Sequence, residues 1–146
     1  MNIKNGAKVF IKNKKLSKYL FFLRDNKPSI PNPNMWGILG GAIEDGEKPI
    51  EALEREIKEE SNIKIYNIKE LGRKVVMHII KNGGKEQIIT GKEIFVFLAE
   101  TKASLSEIEL YEGQRLEYFT IEEALNQDNL ALPIREIIIE FKKKLL

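Results

Sequence analysis

The chain has 146 residues, 42% apolar and 32% charged, enough for one domain with its own core and unlike a disordered chain or a disulfide-built miniprotein. Cysteine is absent, which excludes disulfides, thiolate metal sites and a cysteine nucleophile and leaves any chemistry to oxygen and nitrogen groups. The 24 basic and 22 acidic residues are too balanced to imply a nucleic-acid-binding surface. No apolar run nears the ~20 residues of a membrane helix, and the start lacks the apolar stretch of a signal peptide. The expectation is a cytoplasmic protein forming a single domain over residues 1–146.

In chain order, residues 7–11 and 19–23 concentrate β-branched and aromatic side chains around the polar Lys12-Asn13-Lys14-Lys15 and read as a hairpin. Residues 25–35 hold Pro28, Pro31 and Pro33 with Asn26, Asn32 and Asn34, a composition that resists helix and ladder and reads as a loop. Residues 36–39 read as a short strand ending at Gly40-Gly41 and running into a turn. Pro49 suits a first helical position, and Ile50, Leu53 and Ile57 recur as the stripe of an amphipathic helix ending near Ser61. Residues 64–81 and 85–100 read as long β segments joined at Asn82-Gly83-Gly84, a hairpin turn signal. His78 lies in the first of them without a partner at metal-ligand spacing and reads as structural. An acidic loop spans 106–114, and a short strand spans 116–119. Thr120 then caps a short helix with Glu123 three residues on, and Pro133 opens a terminal helix. This order predicts an α/β layered domain with a partly antiparallel sheet.

On the helix at 49–61, Glu56, Glu59 and Glu60 fall within an arc of about 100°, away from the apolar stripe. Glu51 and Glu54 precede Arg55 and Lys58 by four residues, so each has a simple ion-pair explanation. The three clustered acids have none, and like charges at these spacings cost stability unless a cation sits among them. A hard divalent ion such as Mg²⁺, which takes carboxylate oxygens and shares its remaining positions with water and phosphate, is the economical candidate. The alternative is a solvated acidic face.

Gly41, Glu47, Arg55, Glu56, Ile57, Glu59, Glu60 and Ile63 match the pattern G-x5-E-x7-R-E-U-x-E-E-x-G-U, U being apolar. The chain thereby resembles the Nudix hydrolases, and Trp36-Gly37-Ile38-Leu39-Gly40-Gly41 looks like the W-x-x-x-G-G run that commonly precedes their signature. The resemblance implies the Nudix fold, an α/β/α sandwich with a mixed, partly antiparallel sheet. One position departs: Asn62 stands where the signature has its second glycine. Asparagine tolerates the left-handed conformation of a helix C-cap, so the expectation is that Asn62 adopts it.

By the same resemblance, Glu56, Glu59 and Glu60 are metal-binding carboxylates, the Gly40 carbonyl is an additional ligand, and Arg55 with Glu47 is a supporting ion pair that orients the helix. Mg²⁺ is the implied cofactor, with Mn²⁺ as a substitute. Relatives recruit a further loop glutamate as ligand or general base. Glu112 is the first choice and Glu93 the second, each with a plain surface acid as its alternative, and a helix glutamate (Glu56 or Glu59) remains open for the catalytic role. Outside the signature, Arg24 offers a bidentate grip on phosphate and Lys27 a point charge, or both are surface charge. Trp36 either stacks a base or belongs to the core. The implied reaction cleaves a nucleoside diphosphate linked to a further group, as in an NTP, a nucleotide sugar such as ADP-ribose or a dinucleoside polyphosphate, releasing a nucleoside monophosphate. Neither membrane nor DNA is expected as a partner, and a homodimer is left open. The rival readings are a non-catalytic nucleotide sensor and an isopentenyl diphosphate isomerase, the latter opposed by the absence of cysteine. RNA 5′ ends stay open as substrates.

Overall fold

The first strand, β1 (Gly6–Asn13), alternates so that Ala7, Val9 and Ile11 are buried on one face and Phe10 on the other, and a strand of that kind needs cover on both sides. The structure, a computed structural model, describes residues 4–82 and 85–146, and the side chains of all of these but 78–90. The reading of His78 and the Gly83-Gly84 part of the expected turn lie outside the described residues.

One edge of β1 pairs in parallel with β6 (Lys85–Thr101) along its whole length, from Gly6↔Ile94 to Asn13↔Thr101. The other edge meets β2 (Lys18–Leu23) only at the hairpin end, Lys12↔Tyr19 and Asn13↔Lys18. Beyond that point the two strands part, and each takes a different short partner on the vacated edge. β3 (Trp36–Gly37) pairs with Leu23 and Phe22 of β2, while β4 (Gly40–Ala42) pairs with Lys8, Ala7 and Gly6 of β1. β5 (Tyr66–Asn82) lies antiparallel to β6, and β7 (Arg115–Phe119) covers the far edge of β2. Among the described residues the result is a mixed seven-stranded sheet in which β1 and β6 are the one pair of named strands that runs parallel.

The single strand expected at 36–39 stops at Gly37, Gly40-Gly41 are two of the three residues of β4, and the expected turn follows, Glu47 N donating to the Glu44 carbonyl at 3.0 Å. The break falls where the chain crosses from the edge of β2 to the edge of β1, and Val9 N donates to the Leu39 carbonyl at 3.0 Å just before β4 begins. Gly40 then takes φ +133°, where a Cβ would meet the Ala7 carbonyl at 2.0 Å, so only glycine lets β4 lie against β1.

Helix α1 (Pro49–Glu60) covers one face with Ala52, Leu53 and Ile57; α2 (Ile121–Leu125) and α3 (Leu132–Leu145) cover the other, with Ile134, Ile137, Ile138 and Phe141 at the centre. This is the α/β/α sandwich expected. The Thr120 hydroxyl accepts from Glu123 N at 3.0 Å and the Glu123 carboxylate accepts from Thr120 N at 2.9 Å, the reciprocal cap expected there. Glu51 is a correction. Instead of pairing with Arg55, it accepts from Lys48 N at 2.8 Å and closes the start of α1. Among the described residues, no helix is long and apolar enough to cross a membrane.

The end of α1 differs from expectation too. Ser61 is extended at φ −161° with its N–H bonded to Ile57 O at 3.0 Å, and Asn62 is not among the positive-φ residues, which include Asn32, Asn34 and Asn67. The chain leaves the helix straight into a bridge with Leu110, so no left-handed residue is needed to reverse it.

Candidate active site

Position 55 fixes α1 against the chain before it. The Arg55 guanidinium donates two parallel bonds to Glu47, Nε to Oε2 and Nη2 to Oε1, both 2.9 Å, and a third of 2.9 Å to the Ala42 carbonyl. Its Nη1 lies 2.9 Å from Glu56 and 3.4 Å from Glu59. Glu47 also accepts from Glu44 N at 2.8 Å, and Arg55 above all holds its carboxyl down at about 2. The fork geometry of arginine is what permits this; an ammonium has no parallel pair to offer.

One turn on, Glu56 and Glu60 close on the two glycines of β4. A Cβ on Gly41 would stand 2.3 Å from the Glu56 carboxyl carbon, so the missing side chain is the space the carboxylate occupies. Glu60 is 6% exposed and accepts from Gly40 N at 2.9 Å. Burial pushes its pKa up, Lys8 and the Gly40 N–H pull it down, and the like charges of Glu56 and Glu112 push it up again. Lys8, facing it from β1, is pushed down chiefly by burial. Its Nζ lies 3.3 Å from the Gly40 carbonyl and 3.4 Å from that of Ile38.

Burial lowers Arg24 and Lys92 as well. Arg24 is drawn back up by Glu60, Asp25 and Glu112, and Lys92 is pushed further down by Arg24. Glu56, Glu60 and Glu112 therefore share one neighbourhood with Lys8, Arg24 and Lys92, and Lys8, Arg24 and Glu60 each feel the charge of several of the others. Acids and cations side by side in partial burial are the arrangement a metal–phosphate complex requires, since the acids suit the metal and the bases the phosphate.

Comparison with known proteins decides the family. The NUDIX domain family matches residues 3–141. The chain belongs to the Nudix family. No curated protein sequence matches it. Solved structures share its fold throughout. The MutT NUDIX hydrolase from Burkholderia pseudomallei is 22% identical, over 95% of this chain and 98% of that one, with a TM-score of 0.70. An Ap4A hydrolase from C. elegans is 20% identical, over 97% and 98%, at 0.66. The NUDIX domain of NrtR from Shewanella oneidensis, solved with ADP ribose, is 14% identical, over 100% and 91%, at 0.70. Membership makes the reaction class hydrolysis of phosphorus-containing anhydrides.

Within the Nudix signature, the structure brings Glu56 and Glu60 to the Gly40-Gly41 peptide, while Glu59, half-exposed, leans toward Arg55. The repulsion expected among these acids is offset partly from inside the chain, by Arg55 and Lys8, a cation source the helix pattern alone did not reveal. Among the described residues no three acidic or histidine side chains form a ready-made metal cage. The donor set nonetheless fits a hard divalent ion: every donor is an oxygen, and the glycine cradle keeps the Glu56 carboxylate beside the peptide that Glu60 holds.

Of the other candidates, Glu112 is exposed, close enough to Glu60 and Arg24 for its charge to act on both. Glu93 pairs instead with Arg73 at 3.5 Å on the β5–β6 arm. Arg24 bonds the Pro31 carbonyl through Nε at 2.9 Å, and Lys27 is exposed. Trp36 is 3% exposed, edge-on to Phe119 at 5.0 Å and covered by Arg115 at 5.0 Å. Its ring is packed into the core, which leaves little exposed area for a base.

Two residues of the neighbourhood escaped the sequence reading, Lys8 and Lys92. Lys8 had a signal: it sits mid-strand between Ala7 and Val9 in a strand buried on both faces, where a lysine is rarely placed without a partner.

Proposed function

We propose that this Nudix domain is a Mg²⁺-dependent pyrophosphohydrolase acting in the cytoplasm on a nucleoside diphosphate linked to a further group, with a nucleoside monophosphate as one product. The observation that carries the reading is the convergence of Glu56 and Glu60 on the Gly40-Gly41 peptide, beside Glu112 and the cations Lys8, Arg24 and Lys92. Glu56, Glu59 and Glu60, with the Gly40 carbonyl, would hold the metal. Bound there, the ion neutralises diphosphate oxygens and makes a water molecule more acidic.

The chain's own groups supply the rest. Lys8, Arg24 and Lys92 offset phosphate charge in a partly dry setting, where each interaction is stronger than in water. Lys27, on the exposed loop after Arg24, extends this positive surface. Water adds to phosphorus in line, the anhydride P–O bond breaks, and the water proton passes to Glu112. Arg55 and Glu47 hold α1 at the angle from which its acids reach β4.

The test is a panel of ADP-ribose, nucleotide sugars, dinucleoside polyphosphates, all (d)NTPs and 5′-triphosphorylated RNA, with Mg²⁺ or Mn²⁺ and products identified by mass. Glu56→Gln, Glu59→Gln and Glu60→Gln are expected to cut turnover by roughly 10²-fold or more. Wild-type turnover in all three would sink the proposal. Tight binding of ADP-ribose without hydrolysis would replace it with the sensor reading.

A further inference from the structure

The loop that carries Glu112 is held at both ends by bonds that the Nudix signature does not contain. Before it, the Ala103 carbonyl accepts from the Tyr118 hydroxyl at 2.7 Å and Asn13 Nδ2 at 3.2 Å. Asn62 then meets the loop three times: its Oδ1 accepts from Glu109 N at 2.7 Å, its Nδ2 donates to the Glu107 carbonyl at 3.4 Å, and its backbone N–H donates to the Glu109 carbonyl at 3.2 Å. Ser61 and Leu110 bridge beside it, and Tyr111 N donates to the Glu60 carbonyl at 2.7 Å. On the far side of Glu112, Gln114 Nε2 donates to the Arg24 carbonyl at 2.8 Å and to Asn34 Oδ1 at 2.9 Å, while its backbone N–H reaches the Leu23 carbonyl at 2.8 Å.

We propose that Asn62, standing where the signature has glycine, is a positioning residue that clamps the 107–112 loop onto the end of α1 and so holds Glu112 beside Glu60, with Gln114 as the second clamp. A glycine there keeps the backbone bond and loses both carboxamide bonds. The shortest side-chain contact, 2.7 Å, is one of those lost. At the α1 end the loop would then hang on its backbone bridges alone, with Gln114 still holding the far end, and an exposed segment with fewer anchors samples more positions. A displacement of about 1 Å at a proton acceptor is enough to slow the chemical step severely without weakening substrate binding.

The proposal rests on Glu112 serving the reaction, so the experiment separates the two. Asn62→Gly, Gln114→Met, Glu112→Gln and the doubles with Glu112→Gln are assayed on the nucleotide turned over fastest in the panel above. Amide exchange and thermal melts of each full-length variant are recorded alongside. Asn62→Gly is expected to lower kcat about tenfold with KM within about twofold, to speed exchange at Glu109 and Tyr111, and to add nothing further in the Glu112→Gln background. Gln114→Met should show the same lack of additivity, which keeps the test valid if one variant folds poorly. Undiminished kcat in Asn62→Gly, or losses that multiply with that of Glu112→Gln, would overturn the clamp alone. Full activity of Glu112→Gln, with Glu56→Gln and Glu60→Gln still inactive, would overturn both the base assignment and the clamp while leaving the pyrophosphohydrolase standing.

Discussion

Around Arg55, one planar side chain meets Glu47 twice, the Ala42 carbonyl once and Glu56 once, all at 2.9 Å. The pair it makes with Glu47 has a consequence for acid stability. The ordinary carboxyl value of 4.5 is held down at about 2, below its unfolded value. The stabilisation is therefore complete above pH ~4.5 and fades as pH falls towards ~2. Urea denaturation across that window should show Glu47→Gln with a flatter acid limb than wild type; identical slopes would count against the pair. The neighbouring glycines separate stability from activity. Gly40→Ala forces a side chain onto the Ala7 carbonyl at positive φ and should cost ~2 kcal/mol or more. Gly41→Ala meets first the movable carboxylate of Glu56, so turnover should fall about tenfold with a smaller loss of stability, as read by parallel melts and kinetics.

At the scale of elements, α1 does two jobs with opposite faces. Leu53 is fully buried under β1, and Leu53→Ala should cost ~2–5 kcal/mol in chemical denaturation by leaving a cavity. The acid face requires the helix to arrive at β4 in the right rotation, which the buried face sets. The helix, its start at Pro49 and its stripe were legible in the sequence because a first-turn proline and i, i+3 spacing are local. The split of β3 from β4 was not, since it depends on where β1 and β2 part and on which of them each short strand pairs with. Nor was the extended exit at Ser61. There a left-handed asparagine was the local preference, and a pairing with Leu110, remote in sequence, overrode it.

For the whole molecule, metal binding should couple to folding. If Glu56 and Glu60 hold a divalent ion, MgCl₂ at 100 times its dissociation constant stabilises the native state by about 2.7 kcal/mol. The unfolding midpoint should rise accordingly in wild type, fall back with EDTA, and fail to rise in the Glu56→Gln/Glu60→Gln double variant; a matching rise in that variant would point to a site elsewhere. The mixed sheet makes this coupling possible, because the place where β1 and β2 part is also where Gly40, Lys8 and Glu60 meet.

By itself the sequence determined the layered α/β class, the Nudix signature from Gly41 to Ile63, and the acid face of α1, since each is written in spacings along one segment. Only the tertiary structure decided that Lys8 faces Glu60, that the charge of Glu112 reaches Glu60 while Glu93 pairs with Arg73, that Trp36 is core, and that Asn62 grips a loop instead of turning the chain. Those outcomes join residues far apart in sequence. They are set by strand register and by which face each side chain buries, quantities that no local pattern encodes.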